Sequence, residues 1–318
     1  MKKLWLKSLH VVLKEHNGSV SNKTKRASDS TIRKREIYLS KMFTVLGTEG
    51  FELEDVKNLK RKHVDVLCSK WERDGLAPAT IQLYLSILRV FCGWIGKGGM
   101  VQASAKMVST PDRARRSPAA QTDKSWETSG VTAEELIQRM REINPRMAVI
   151  MKLARVFGLR LQEAYMIKPH QADKDKYLMV NWGTKGGKRR RSVPINSQNQ
   201  KDAIEEAKQF AGTELSSMIP DEVAYKTYRN RTRWHLDKIG MTQKKLGVTF
   251  HGARHAYLND RFEEISGVQS PARSMTPVKA QGDNIELARQ VVAEDAGHGR
   301  KSISSAYLGA FSRGSSKQ

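Results

Sequence analysis

Hydrophobic periodicity stops between residues 104 and 130, where Pro111 and Pro118 flank Arg113, Arg115 and Arg116 among Ser, Thr, Ala and Gln. One continuous core cannot be carried through such a stretch, so the chain reads as two folding parts joined by a linker. Its 318 residues suit two domains of ordinary size. The expected division is a first domain over 1–105, a linker over 106–130 and a second domain over 131–318.

The first part is helical. After Pro78, the residues Ile81, Tyr84, Leu85, Leu88, Phe91 and Ile95 recur at the spacing of one helix face. Proline suits the first turn, which has no amide bond to lose, and Gly96, Gly98 and Gly99 end the run. At the start of the chain, Leu4, Trp5, Leu9, Val12 and Leu13 form a further amphipathic pattern, for packing on this domain or on a neighbouring subunit. In the second part, Thr132 and Glu135 have the spacing of a capping box. The period then changes at residues 177–182, followed by Gly183, Gly186 and Gly187 and a return over 191–195. This predicts a β-hairpin whose tip carries Lys185, Lys188, Arg189 and Arg190. The expected fold is mainly α with one small β-hairpin sheet: a helical domain followed by a mixed α/β domain.

Charge narrows the partner. Fifty-six Lys and Arg against 33 Asp and Glu give a net charge of +23. Such an excess opposes compaction unless a polyanion compensates it, and a phosphate backbone does so through counterion release. Nucleic acid is therefore the expected partner. The apolar runs fall short of the roughly 18–20 residues that span a bilayer, so a membrane is not. Met1 to Leu13 lacks an apolar signal core. Cys68 and Cys92, the two cysteines, read as buried thiols of a cytoplasmic protein working at the nucleoid. No clustered metal-ligand spacing occurs among the His and Cys residues.

Four fragments carry chemistry when taken together: Gly158 to Glu163 with Arg160 at its centre, Lys185 on the hairpin tip, His251-Gly252-Ala253-Arg254, and Gly297-His298 followed nine residues later by Tyr307. In order and spacing they resemble the tyrosine recombinases, the phage-integrase family of site-specific DNA strand-exchange enzymes. The motifs cover residues 131–307, and the basic helical part before them is similar to the family's core-binding domain. The resemblance implies a core-binding domain and a catalytic domain of the tyrosine recombinase type, acting on double-stranded DNA as a homotetramer holding two duplexes. An accessory directionality factor is a further implied partner.

The physical reasons for the residue types are plain. A phosphodiester under attack gathers negative charge on its non-bridging oxygens, and the forks of Arg160 and Arg254 match that geometry. Tyr307 is the expected nucleophile. His251 would take its proton, or act as a positioning donor, and His298 would bond a phosphate oxygen. Lys185 is the expected general acid for the 5′ oxygen, with Lys188 on the same tip competing for that role. Arg189 and Arg190 would hold DNA, and Glu163 would orient the site. Together these give strand cleavage and rejoining through a 3′-phosphotyrosine, for integration or excision of a mobile element. The phosphodiester energy stays in the covalent bond, so no ATP, metal or other cofactor is called for.

Two other functions remain open at this stage: relaxation by a type IB topoisomerase-like enzyme, and a non-catalytic DNA-binding or synapsis factor on the same fold. Tyr225, Tyr228 and Tyr257 are weaker nucleophile candidates because none follows a GH pair. His255 reads as a hydrogen-bonding helix residue. The interval from Arg254 to His298 is longer than the family's, with the surplus over 266–282. A tolerated surface loop is the favoured reading there, with DNA contact through Arg273 and Lys279 or contact with a neighbouring subunit as the others. Only eleven residues follow Tyr307, where many relatives dock a longer C-terminal helix into a neighbouring protomer.

Overall fold

In the computed structural model, residues 4–19, 26–184, 191–274, 278–279 and 282–312 are described. They form two compact units, Met1–Ser117 and Pro118–Gln318.

The first unit is built from α1 (Trp5–His16), α2 (Asp29–Thr48), α3 (Arg61–Arg73) and α4 (Pro78–Trp94). Ser28 starts α2 by accepting the Thr31 amide on its Oγ at 3.3 Å. Pro78 occupies the first turn of α4 as expected, and the helix closes just before Gly96, which is left-handed at φ 74°. Ile81, Tyr84, Leu85, Leu88 and Phe91 are buried as one face against Leu39, Phe43, Leu67 and Trp71. Ile95 lies just past the helix end and is only partly buried. Helix α1 packs on its own unit through Trp5, Leu9 and Val12, with the Trp5 ring stacked 5.5 Å from that of Phe43. Leu4, by contrast, is exposed. Cys68 and Cys92 are buried free thiols, and burial pushes them up to about 12 and about 11.

Within 106–130, Met107 and Ala114 are buried in the first unit and Ala120, Ser125 and Trp126 in the second, while 109–113 and 115–118 are exposed. Ala114 is buried, and its carbonyl accepts from Gln82 Nε2 on α4 at 2.5 Å. Further on, the Ala120 amide donates to the Ser305 carbonyl at 2.9 Å, and Trp126 is fully buried with Nε1 donating to the Thr249 carbonyl at 2.9 Å. Single 3₁₀ turns such as Pro111–Ala114 and Trp126–Ser129 bury isolated residues, and one turn is too short to show a period.

The second unit runs α5 (Ala133–Ile143), α6 (Pro145–Phe157), α7 (Leu161–Met166), α8 (Pro169–Ala172), β1 (Tyr177–Val180), β2 (Arg191–Pro194), α9 (Gln198–Phe210), α10 (Tyr225–Lys238), α11 (Gly252–Ser266), α12 (Pro271–Ser274), α13 (Asp283–Asp295) and α14 (Ser305–Leu308). The Thr132–Glu135 capping box forms at both bonds, 3.1 and 2.9 Å. Helix α6 is buried on nearly every side and packs against α5, α9 and α11. The strands pair antiparallel with Leu178 opposite Val193 and Val180 opposite Arg191. The expected hairpin is therefore present, and its tip residues Lys185, Lys188, Arg189 and Arg190 lie outside the described residues. Among the described residues no helix is long and apolar enough to cross a membrane.

Candidate active site

The site lies in the second unit, and its geometry starts where α6 ends. Gly158 is left-handed at φ 59°, and a Cβ there would sit 2.5 Å from Cδ1 of Tyr257. The turn frees the Gly158 carbonyl to accept Arg254 Nη1 at 2.5 Å. Gly158→Ala is expected to cost roughly 2–4 kcal/mol in urea unfolding, from the left-handed backbone and from the overpacked Tyr257 ring. A loss below about 0.5 kcal/mol would mean that the ring yields without strain.

Arg160 is the N-cap of α7. Its amide donates to Glu163 Oε2 at 2.8 Å and its Nη1 to Oε1 at 2.7 Å, so one carboxylate closes the helix start and holds the guanidinium. Glu163 is fully buried and also receives both forks of Arg191, each at 2.8 Å, while Arg254 Nη1 stands 3.8 Å away. Burial raises the Glu163 carboxyl, but the hydrogen bonds and charge of Arg191, then the charges of Arg254 and Arg160, outweigh it and hold the group at about 2.

Arg254, on α11, is fully buried. Its Nε donates to the Tyr307 hydroxyl at 3.1 Å, and its Nη2 donates to the Ala296 carbonyl. That carbonyl also accepts Arg160 Nη2 at 3.0 Å, so the two arginines share one acceptor at the C-terminal end of α13, where the helix dipole favours cations. Burial lowers the Arg254 guanidinium to about 10, and it remains charged at neutral pH.

Tyr307 is buried on α14. Three imidazoles surround its ring, with centroids at 5.1 Å for His255, 6.0 Å for His251 and 6.3 Å for His298, and the Arg254 guanidinium carbon lies 5.4 Å from its centroid. Desolvation within the site, then the charges of Arg254 and Arg160, hold His251 down at about 4, although its side chain also opens to solvent. His255 is buried and likewise held at about 4, first by desolvation and then by the charge of His251. Both rings are neutral at pH 7, the state that can accept a proton. Gly297, left-handed at φ 65°, turns His298 so that its Nε2 lies 3.3 Å from Arg160 Nη2.

Arg160, Glu163, His251, Arg254, His298 and Tyr307 thus converge, whereas Lys185 and its neighbours fall outside the described residues. Tyr228 is buried away from this cluster against Tyr165, and burial pushes it up to about 12. Tyr257 is buried and its hydroxyl lies 3.3 Å from Asp295 Oδ2. Arg273, offered by the sequence as a DNA contact, is turned inward to Asp123, Asp260 and Glu263 at 3.1, 2.8 and 3.1 Å. Three carboxylates around one guanidinium outbid solvent for it. His255, read as a helix hydrogen-bonding residue, faces Tyr307, and its Nδ1 has no hydrogen-bond partner among the described residues. Sequence reasoning missed Arg191. The signal was available, since Arg191 and Val193 alternate on the inward face of β2, where an apolar residue belongs unless a buried charge awaits it.

Two family models match: "Integrase" over residues 117–260 and "Phage integrase, N-terminal" over residues 14–101. The tyrosine recombinase XerC of Shewanella sp. (strain ANA-3) is 22% identical over 224 residues, 68% of this chain and 71% of that protein. Among solved structures, a lambda integrase dimer on a COC′ core site superposes with a TM-score of 0.60 at 16% identity, covering 94% of each chain. Lambda integrase as a tetramer on a Holliday junction gives 0.55 at 17%, covering 92% of this chain and 78% of that one. The Tn1549 transposon integrase with transposon right end DNA gives 0.58 at 10%, covering 98% and 96%. Both halves of the chain match the same family, and the order of arginine, HxxR, GH and tyrosine has become one cluster in space. The chain belongs to the tyrosine recombinases, the phage-integrase family of site-specific DNA recombinases.

Proposed function

We propose that Tyr307 attacks a DNA phosphodiester, that the chain then holds a 3′-phosphotyrosine, and that the freed 5′ hydroxyl of a partner strand reverses the step to complete exchange. The observation that carries this reading is Arg254. Its Nε touches the Tyr307 hydroxyl, and its Nη2 shares the Ala296 carbonyl with Arg160. Nucleophile and phosphate clamp are thereby held in one rigid group before substrate arrives.

In the forward step the Tyr307 oxygen bonds to phosphorus and its proton passes to neutral His251. Arg160, Arg254 and His298 take the charge on the non-bridging oxygens. The bond from phosphorus to the 5′ oxygen breaks, and Lys185 supplies that oxygen with a proton, Lys188 being the competing donor. Glu163 and Arg191 orient the guanidiniums and do no chemistry.

Duplex DNA is the substrate. Helix α10 supports this beyond the net charge, since it turns Lys226, Arg229, Arg231, Arg233 and Trp234 to solvent as a basic face with an aromatic residue among the cations. Lys188, Arg189 and Arg190 would add contacts from the hairpin tip, and the helical unit over 1–117 would act as the core-binding domain. The lambda integrase tetramer on a Holliday junction supports a homotetramer on two duplexes, and the Tn1549 transposon integrase supports work for a mobile element, on DNA in the cytoplasm.

The test is incubation with supercoiled DNA in EDTA, denaturation with SDS, and sequencing of DNA ends that carry protein. The expected result is attachment at 3′ ends at a preferred site, with Tyr307 as the modified residue. Relaxed plasmid with no exchanged strands would favour a topoisomerase-like enzyme. Tight salt-sensitive binding with no adduct would favour an architectural factor.

A further inference from the structure

Two of the surplus residues between Arg254 and His298, Ser270 and Ala272, are buried, while 267–269 are exposed. Ser270 is fully buried and its Oγ donates to Asn259 Oδ1 at 2.5 Å. Asn259, also fully buried on α11, donates from Nδ2 to the His255 carbonyl at 2.7 Å and to the Tyr307 carbonyl at 3.4 Å. Two carbonyls on one side and a hydroxyl on the other fix the orientation of the amide, since only Nδ2 can donate. Ser270 therefore locks the rotamer with which Asn259 reaches the backbone of Tyr307.

A second contact lies one turn further on. Gly309 is left-handed at φ 90°, and a Cβ there would stand 2.8 Å from the Ala272 nitrogen and 3.1 Å from Pro271 Cβ. The chain leaving Tyr307 is thus pressed against the start of α12. Beyond it, the Ser312 amide donates to the Val278 carbonyl at 2.9 Å. Arg273 in turn fastens α12 to α11 through Asp260 and Glu263 and to the segment before α5 through Asp123.

Helix α14 is four residues long, and its closing bond runs from the Gly309 amide to the Ser305 carbonyl at 3.1 Å. One turn cannot hold its own position. An in-line attack nevertheless needs the nucleophile held to a fraction of an ångström. We infer that the segment around Ser270–Ser274 is a clamp in cis that seats Tyr307 through Asn259, which makes Ser270 and Asn259 positioning residues for strand cleavage. The inference rests on Tyr307 being the nucleophile. It converts an expected surface loop into part of the catalytic support.

Two variants of the full chain, Ser270→Ala and Arg273→Gln, loosen the clamp at separate points without touching phosphate, and both are to be checked for an intact fold by circular dichroism. Amide hydrogen exchange without DNA reports on the clamp itself, and faster exchange confined to peptides over 305–312 is expected. Adduct formation at saturating supercoiled plasmid should slow about tenfold or more while DNA affinity is unchanged, because misplacement acts on the attack and not on binding. Unchanged exchange over 305–312, an unchanged adduct rate in both variants, or slowing matched by an equal loss of DNA affinity would overturn the inference. Failure of the wild type to form any adduct would instead sink the recombinase chemistry, and the exchange measurement would still decide whether the clamp exists.

Discussion

Tyr307→Phe will bind DNA as the wild type does and form no covalent adduct, a fall of at least about 10⁴-fold against wild-type cleavage. The phenylalanine ring keeps the same neighbours, His255 at 5.1 Å and the Arg254 guanidinium carbon at 5.4 Å from the ring centroid. The change deletes one oxygen, and with it the acceptor for Arg254 Nε. Leaving the buried Arg254 Nε without this acceptor costs about 1–3 kcal/mol, below the roughly 5–15 kcal/mol that holds a domain folded. The variant should therefore stay folded and bind DNA as the wild type does while the chemistry vanishes. SDS-stable protein on plasmid DNA, read beside gel-shift titrations at two salt concentrations, measures both. An adduct that survives in the variant would require a different nucleophile, and Tyr228 and Tyr257 are poor candidates because each is buried with its hydroxyl away from the arginine cluster.

Glu163→Gln will lower the stability of the second unit by about 3–5 kcal/mol at neutral pH, as expected for removing one member of a buried ionic group. The glutamine keeps the shape and can still close the start of α7. It cannot balance Arg191, Arg160 and Arg254, which now lean on one carboxylate. The effect has a pH signature. Glu163 is held at about 2 in the folded chain against an ordinary 4.5, so the unfolded state binds the proton first as pH falls. The contribution is whole above pH 4.5 and drains as pH drops toward 2, and its full size is about 3 kcal/mol. At pH 3 about 2 kcal/mol of the gap between wild type and variant should have closed. Urea unfolding of both proteins at pH 7 and pH 3 tests this, and an equal gap at the two pH values would mean that Glu163 does not carry the charge assigned to it.

What the sequence made legible depended on whether a local rule governed each element. The buried face of α4 obeys the 3.6-residue period, Thr132 and Glu135 make a bond that needs no tertiary context, and the change of period announced the hairpin. The convergence of Arg160, Glu163, His251, Arg254, His298 and Tyr307 was legible for a different reason: the proposed chemistry dictates residue types, and their order survives in the chain. Arg191 was not legible as a site residue because its role depends on register, which sets it opposite Val180 and over Glu163. The stretch 118–130 hid its burial in single turns. Residues 266–282 misled through composition. Ser, Pro and Gly ordinarily mark exposed loops, yet Ser270 and Ala272 are buried, and Gly309 lets the backbone approach the start of α12 closely. Arg273 was misjudged for the same reason, since nothing in its immediate neighbours announces Asp123 across the fold.

The group around Glu163 has a charge ledger that bears on timing. Three guanidiniums against one carboxylate leave two positive charges in excess at a largely dry site, and neutral His251 and His255 add none. A resting phosphodiester carries one negative charge, whereas the pentacoordinate state formed during attack carries two. Under the proposed attack by Tyr307, the surplus matches the fleeting species more closely than the ground state, and the attraction would grow as the reaction proceeds. On the proposed mechanism, the surplus charge is cancelled most fully at the moment of strand attack.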